Sequence, residues 1–155
     1  MLDPAPTTVI PADLARAKVL EFREAQGSKP AYAVLGFSNT DYKIFLEPAD
    51  DCDAEEARAR VGKKLFCVIH LNARKVTVSG AGGRFVDPIS GTPNRVQGTV
   101  LAVDAESNTL AVNAGVPVHL VLTAPGQQAS DFAVGDFIGC DVLSGSTFGV
   151  CTVEG

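Results

Sequence analysis

Histidine and cysteine are the side chains best able to do chemistry near neutral pH, and this chain has two of the first and four of the second. His70 and His119 each lie in an apolar stretch, CVIHLN and VPVHLV. No His-x-His or His-Glu-x-x-His spacing brings them together, so the sequence assigns no metal ligand, and each reads as a strand residue on a solvated or hydrogen-bonded face. Cys52, Cys67, Cys140 and Cys151 form no C-x-x-C pair, which excludes zinc knuckles and thioredoxin-like chemistry. The acids Asp50, Asp51, Asp53, Glu55 and Glu56 suit the positive end of a helix, with Asp53 and Glu56 at capping-box spacing. They also offer carboxylates to a divalent cation, although the alternation and central glycine of an EF-hand are missing. Gly80 to Pro93 holds a glycine cluster beside Arg84, yet no helix follows it and no Walker lysine is present, so a linker or long hairpin loop is the better reading than a phosphate loop. There is no nucleophile elbow and no dinucleotide fingerprint. The sequence therefore names no catalytic residue, no metal and no cofactor; an enzyme would need a site assembled from distant loops.

Charge is segregated along the chain. The formal net charge is -5, and Lys63, Lys64, Arg74, Lys75, Arg84 and Arg95 are opposed between positions 61 and 95 only by Asp87. After Arg95 there is no lysine or arginine at all. Those six cations are the candidate contacts for a partner or an anion, because the rest of the C-terminal half repels anions. They equally suit a solvated strand face protected by lysine.

The positioning elements are mostly strands. Pro4, Pro6 and Pro11 favour an extended arm, and Ala12, Ala15, Val19 and Phe22 fall at helical spacing up to about Gln26, with Gly27 as a stop. Residues 1–30 thus read as arm and helix. A β-rich unit at 31–80 follows: a hairpin from Ala31 to Glu47, a short helix near Ala54 to Arg60, and a long strand region from Lys64 to Ser79 that bends near Asn72 to Lys75. Residues 81–93 read as a Gly/Pro linker. Five strands then run at Arg95–Asp104, Thr109–Asn113, Val116–Thr123, Asp136–Leu143 and Phe148–Val153, with an irregular crossing at Gln127–Val134.

Three strands, a crossing and a final hairpin resemble the five-stranded OB-type barrel over residues 94–153, a likeness of fold that carries no diagnostic motif. The expected class is mainly β: an OB-like barrel at 94–155, a possible second similar barrel before it, one N-terminal helix and one short helix. Aligning Val61-Gly62 with Val134-Gly135 also aligns Cys67 with Cys140, which suggests a duplication; otherwise the first half wraps a single barrel. A type II′ turn at Gly145-Ser146 would set Cys140 opposite Cys151 as a redox pair or as two buried thiols.

The functional expectation is a non-catalytic binding or assembly module making protein contacts in a homo-oligomer or larger complex. Its motives are the proline arm, the one-striped helix and the phenylalanines on both faces of the last hairpin. The alternative is a single-stranded nucleic-acid-binding protein using the basic middle segment, where Phe66, His70 and Phe85 would stack bases; a small enzyme ranks third. No run is long and apolar enough to cross a bilayer and no basic-apolar leader is visible, so the expected location is cytoplasmic, without a membrane partner.

Overall fold

Period-2 burial dominates the chain. The computed structural model describes residues 14–79 and 82–151. The strands are β1 (Ala15–Arg23), β2 (Tyr32–Phe37), β3 (Lys43–Pro48), β4 (Lys64–Val78), β5 (Phe85–Asp87), β6 (Ser90–Gly91), β7 (Arg95–Asp104), β8 (Thr109–Asn113), β9 (Pro117–Leu122), β10 (Phe137–Val142) and β11 (Thr147–Val150). A helix, α1 (Asp51–Ala59), joins β3 to β4, and a 3₁₀ turn at Ala129–Asp131 joins β9 to β10. The protein is mainly β and barrel-like, as its alternation predicts.

The strand order is β1-β2-β3-β11-β4-β10-β7-β8-β9, with β4 also pairing β1 and β9. Those extra pairings close two five-stranded rings that share β4: β1-β2-β3-β11-β4 and β4-β10-β7-β8-β9. The rings follow one plan. In the first, β11 runs parallel to β3 and antiparallel to β4; in the second, the far half of β4 runs parallel to β9 and antiparallel to β10. Each ring therefore takes its fifth strand from the other half of the chain. The glycine alignment holds in three dimensions: Gly62 and Gly135 both have positive φ, 83° and 96°, just before the strands that carry buried Cys67 and Cys140.

β4 can serve both rings because its 15 residues keep an inward row of Leu65, Cys67, Ile69, Leu71 and Ala73. Lys75 then takes a left-handed φ of 56°, and the slip returns Val76 to the core. One continuous apolar cluster fills both rings, with Phe148 of β11 fully buried in it.

Three sequence expectations are corrected. The N-terminal helix is strand β1: Ala15, Ala17 and Val19 are buried while Arg16, Lys18 and Leu20 are exposed. Alanine fits either period, and an open ring edge between β2 and β4 selects the strand. The final hairpin does not form, because β4 lies between β10 and β11 in the sheet order. Cys140 stands opposite Val96, and the Cys151 N–H donates to the Phe66 carbonyl at 2.8 Å. Within the expected linker, β5 pairs with β7 and β6 with β3, which straps the crossing onto both rings. The proline arm lies outside the described residues.

α1 begins one turn earlier than its acids suggested. Asp50 is the N-cap, accepting from the Asp53 N–H at 2.9 Å, while Asp53 accepts from the Val150 N–H at 2.8 Å and so ties the helix to β11. At its other end Arg58 donates two hydrogen bonds to Glu24, at 2.7 and 2.9 Å, and its guanidinium lies 4.9 Å from the Phe22 ring centre.

Candidate ligand pockets

The outward side chains of β2 and β3 build the first pocket. Tyr32 and Phe45 stack with ring centres 5.2 Å apart and form one aromatic wall. Lys29, Pro30, Glu47, Thr92 and Ser146 line the rest of a cavity of about 300 Å³. Lys29 is placed by a tight turn in which Gln26 and Lys29 exchange backbone hydrogen bonds at 3.0 and 2.9 Å, with Gly27 at a φ of 58°. Ser146 is placed by β4: Asn72 Nδ2 donates to the Ser144 carbonyl at 3.2 Å, and the Ser146 carbonyl accepts from the Glu47 N–H at 3.1 Å. Ser146 is only 3% exposed, and its Oγ has no hydrogen-bond partner among the described residues.

The second pocket, about 350 Å³, occupies the matching place on the other ring. Leu46 and Leu120 both point inward on the third strand of their rings, and the outward residue just before each is Phe45 in one ring and His119 in the other. His119 is the register partner of His70 on β4, and their ring centres lie 5.5 Å apart. Ala102, Val103, Asp104, Ser107, Thr109 and Ala111 complete the lining. Asp104 accepts backbone hydrogen bonds from Glu106 and Ser107 at 3.0 and 3.3 Å, which fixes the β7–β8 turn, and hydrogen bonding from the Ser107 side chain, then from its backbone, holds the carboxyl below the usual range. Burial, and secondarily the neighbouring His119, push the His70 imidazole below its ordinary value.

Glu47, Thr147, His70 and His119 are successive register partners across β3, β11, β4 and β9. They share the outward side of the sheet, so both pockets open on one face. Glu47 and His70 are two strand spacings apart, about 10 Å.

The six candidate cations do not converge. Lys63 and Lys64 lie at the start of β4, with Lys64 opposite Lys18. Arg74 is ten positions further along the same strand, roughly 30 Å away if extended. Arg74 and Arg95 flank Asp141 in register, Arg95 meets it in an ion pair at 3.0 Å, and Asp87 stands opposite Arg95. Arg84 donates to the Thr99 hydroxyl at 3.4 Å, and Lys75 occupies the slip in β4. Cys67 and Cys140 are thiols pushed up to about 12 by burial.

Sequence spacing missed both histidines as a pair because parallel strand register is not written in local pattern. Tyr32 and Phe45 were visible as a hairpin but not as a wall, and nothing local marked Ser146.

The two pockets and the paired rings define a double-barrel protein with small concave sites. The chain matches no known protein family and no curated protein. A solved structure that it resembles is the cytoplasmic molybdate-binding protein ModG with molybdate bound, 17% identical over 94% of this chain and 100% of that one, with a TM-score of 0.42. The expectation of an assembly module, with a protein partner, self-association or nucleic acid, is corrected. That neighbour binds molybdate, a small ligand. Of its motives, the striped helix is a core strand and Phe148 is fully buried, while the proline arm lies outside the described residues. Among the described residues no helix is long and apolar enough to cross a membrane.

Proposed function

We propose that the protein binds a small planar ligand in the Tyr32–Phe45 pocket. The observation that carries this reading is the buried Ser146 hydroxyl, which lines the cavity with no hydrogen-bond partner among the described residues. A buried hydroxyl left unmet costs about 1–3 kcal/mol, and a ligand acceptor or donor placed there recovers it. The stacked rings supply a flat apolar surface, Lys29 and Glu47 bring opposite charges to the lining, and the volume suits a single-ring molecule. A ring lying on the wall and a polar substituent reaching Ser146 would use every feature of the site.

The test is a titration of the isotope-labelled full chain with benzoate, nicotinate, uracil and, as a non-planar anion, molybdate, read by amide shifts. Binding of a planar probe should shift the signals of Ser146, Thr92 and Lys29, and Tyr32→Ala should weaken it by about tenfold, near 1.4 kcal/mol. Shifts centred elsewhere, or an unchanged affinity in Tyr32→Ala, reject the pocket. Molybdate binding here in preference to every planar probe rejects the ligand class.

A further inference from the structure

The second pocket is chemically unlike the first, and its walls hold the two histidines that the sequence kept apart. We infer that His70 and His119 form a two-imidazole site for a divalent transition metal ion such as Cu²⁺, Ni²⁺ or Zn²⁺.

The geometry is direct. The two residues are register partners on neighbouring parallel strands, so their side chains leave the sheet on the same side. A metal bonded to both rings at the usual ~2.1 Å, with a tetrahedral angle between the bonds, holds the ring centres about 5 Å apart. The observed separation is 5.5 Å. The small side chains of Ala102 and Ala111 line the same cavity as the two rings. Among the described residues no three His, Cys, Asp or Glu side chains converge on one point, so two imidazoles are the protein's share of the coordination shell and solvent or a ligand completes it.

The surroundings favour a cation over an anion. The Asp104 carboxylate faces the same cavity, whose other polar groups, Ser107 and Thr109, are neutral hydroxyls. β4 holds His70 between two paired neighbours, β11 and β9, so little ordering is needed on binding.

The experiment uses the full chain with Cys52→Ser, which removes an exposed thiol that could bind the probe itself. Cu²⁺ is titrated and its EPR spectrum recorded, and Ni²⁺ is added to labelled protein to map paramagnetic broadening. One Cu²⁺ per chain with two nitrogen ligands is expected, with broadening centred on His70 and His119. His70→Gln and His119→Gln should each weaken binding at least tenfold and remove one nitrogen from the spectrum. Affinity unchanged in both variants, Cu²⁺ held without imidazole nitrogen, or broadening centred elsewhere overturns the inference. The broadening map is read on the protein with both histidines in place, so it decides the matter even if a variant folds poorly.

Discussion

The two rings put their pockets in the same place and fill them with opposite chemistry. On the third strand, Phe45 in the first ring answers to His119 in the second; on the second strand, Tyr32 faces one cavity while Thr109 and Ala111 face the other. The inward residues barely differ: Leu46 matches Leu120, Leu65 matches Ile138, and Cys67 matches Cys140. Core positions must keep volume and apolarity or lose packing, whereas outward positions of a strand are constrained only by pairing. A repeated scaffold can therefore conserve its interior and diversify its surface into two different sites.

The largest test of this comparison acts on the strand exchange. Phe148→Ala removes the fully buried anchor that β11 lends to the first ring and should destabilise the protein by about 3–5 kcal/mol. Urea denaturation measures the loss, and the Tyr32 and Ser146 signals should shift more than those of His119. Equal disturbance of both pockets would mean the rings are not separable in this sense.

A smaller effect is expected where the rings differ in backbone crowding. Gly98 faces Ile138 as Ala17 faces Leu65, yet a Cβ on Gly98 would lie 2.3 Å from the Asn113 carbonyl oxygen. Gly98→Ala should cost about 1–3 kcal/mol even though its counterpart is already alanine. A neutral result in thermal melting would show that the second ring can relax to the geometry of the first.

Ser146→Ala should move stability the other way, by about 1 kcal/mol in favour of the fold, because it deletes an unmet buried hydroxyl. A planar ligand should protect the native protein and lose affinity to the variant. If the variant is instead destabilised, the hydroxyl has a structural partner and the aromatic pocket loses its distinguishing feature.

The smallest effect belongs to the histidine pocket. The His70 pKa is lowered in the folded state, so above pH 6.5 the group is neutral in both states and makes no demand. As pH falls below 6.5 the unfolded chain takes up the proton first, and stability declines until the folded state is protonated as well. Urea midpoints measured from pH 7.5 to pH 5 should show this slope, and His70→Gln should flatten it. A slope unchanged in that variant assigns the titration to another group.

Much of the fold was legible. The stretches from Arg95 to Asn113 and from Tyr42 to Glu47 are rich in β-branched or aromatic residues and end at turn residues, and they are strands within a residue or two of expectation. β1 was not legible, because Ala15 and Val19 fit a helical stripe with Ala12 and Phe22 and equally fit the strand alternation with Ala17, and alanine marks neither period. The Gly145-Ser146 turn has hairpin chemistry, but Leu143 donates its N–H to Asn72 at 2.8 Å and the chain crosses β4 rather than doubling back. Phe148 gains more from the first ring's core than from a local turn, and long-range burial outweighs turn preference.

Alternation, turn residues and the placement of charge determined by themselves that this chain is mainly β, with a short helix after the first hairpin and no lysine or arginine after Arg95. They act within a few residues, so a one-dimensional reading reaches them. Which strand closes which ring, and hence that Ser146 meets Tyr32 and His70 meets His119, was decided only in three dimensions. Strand pairing between distant segments is set by the burial of both partners at once, and no local stretch of sequence contains that sum.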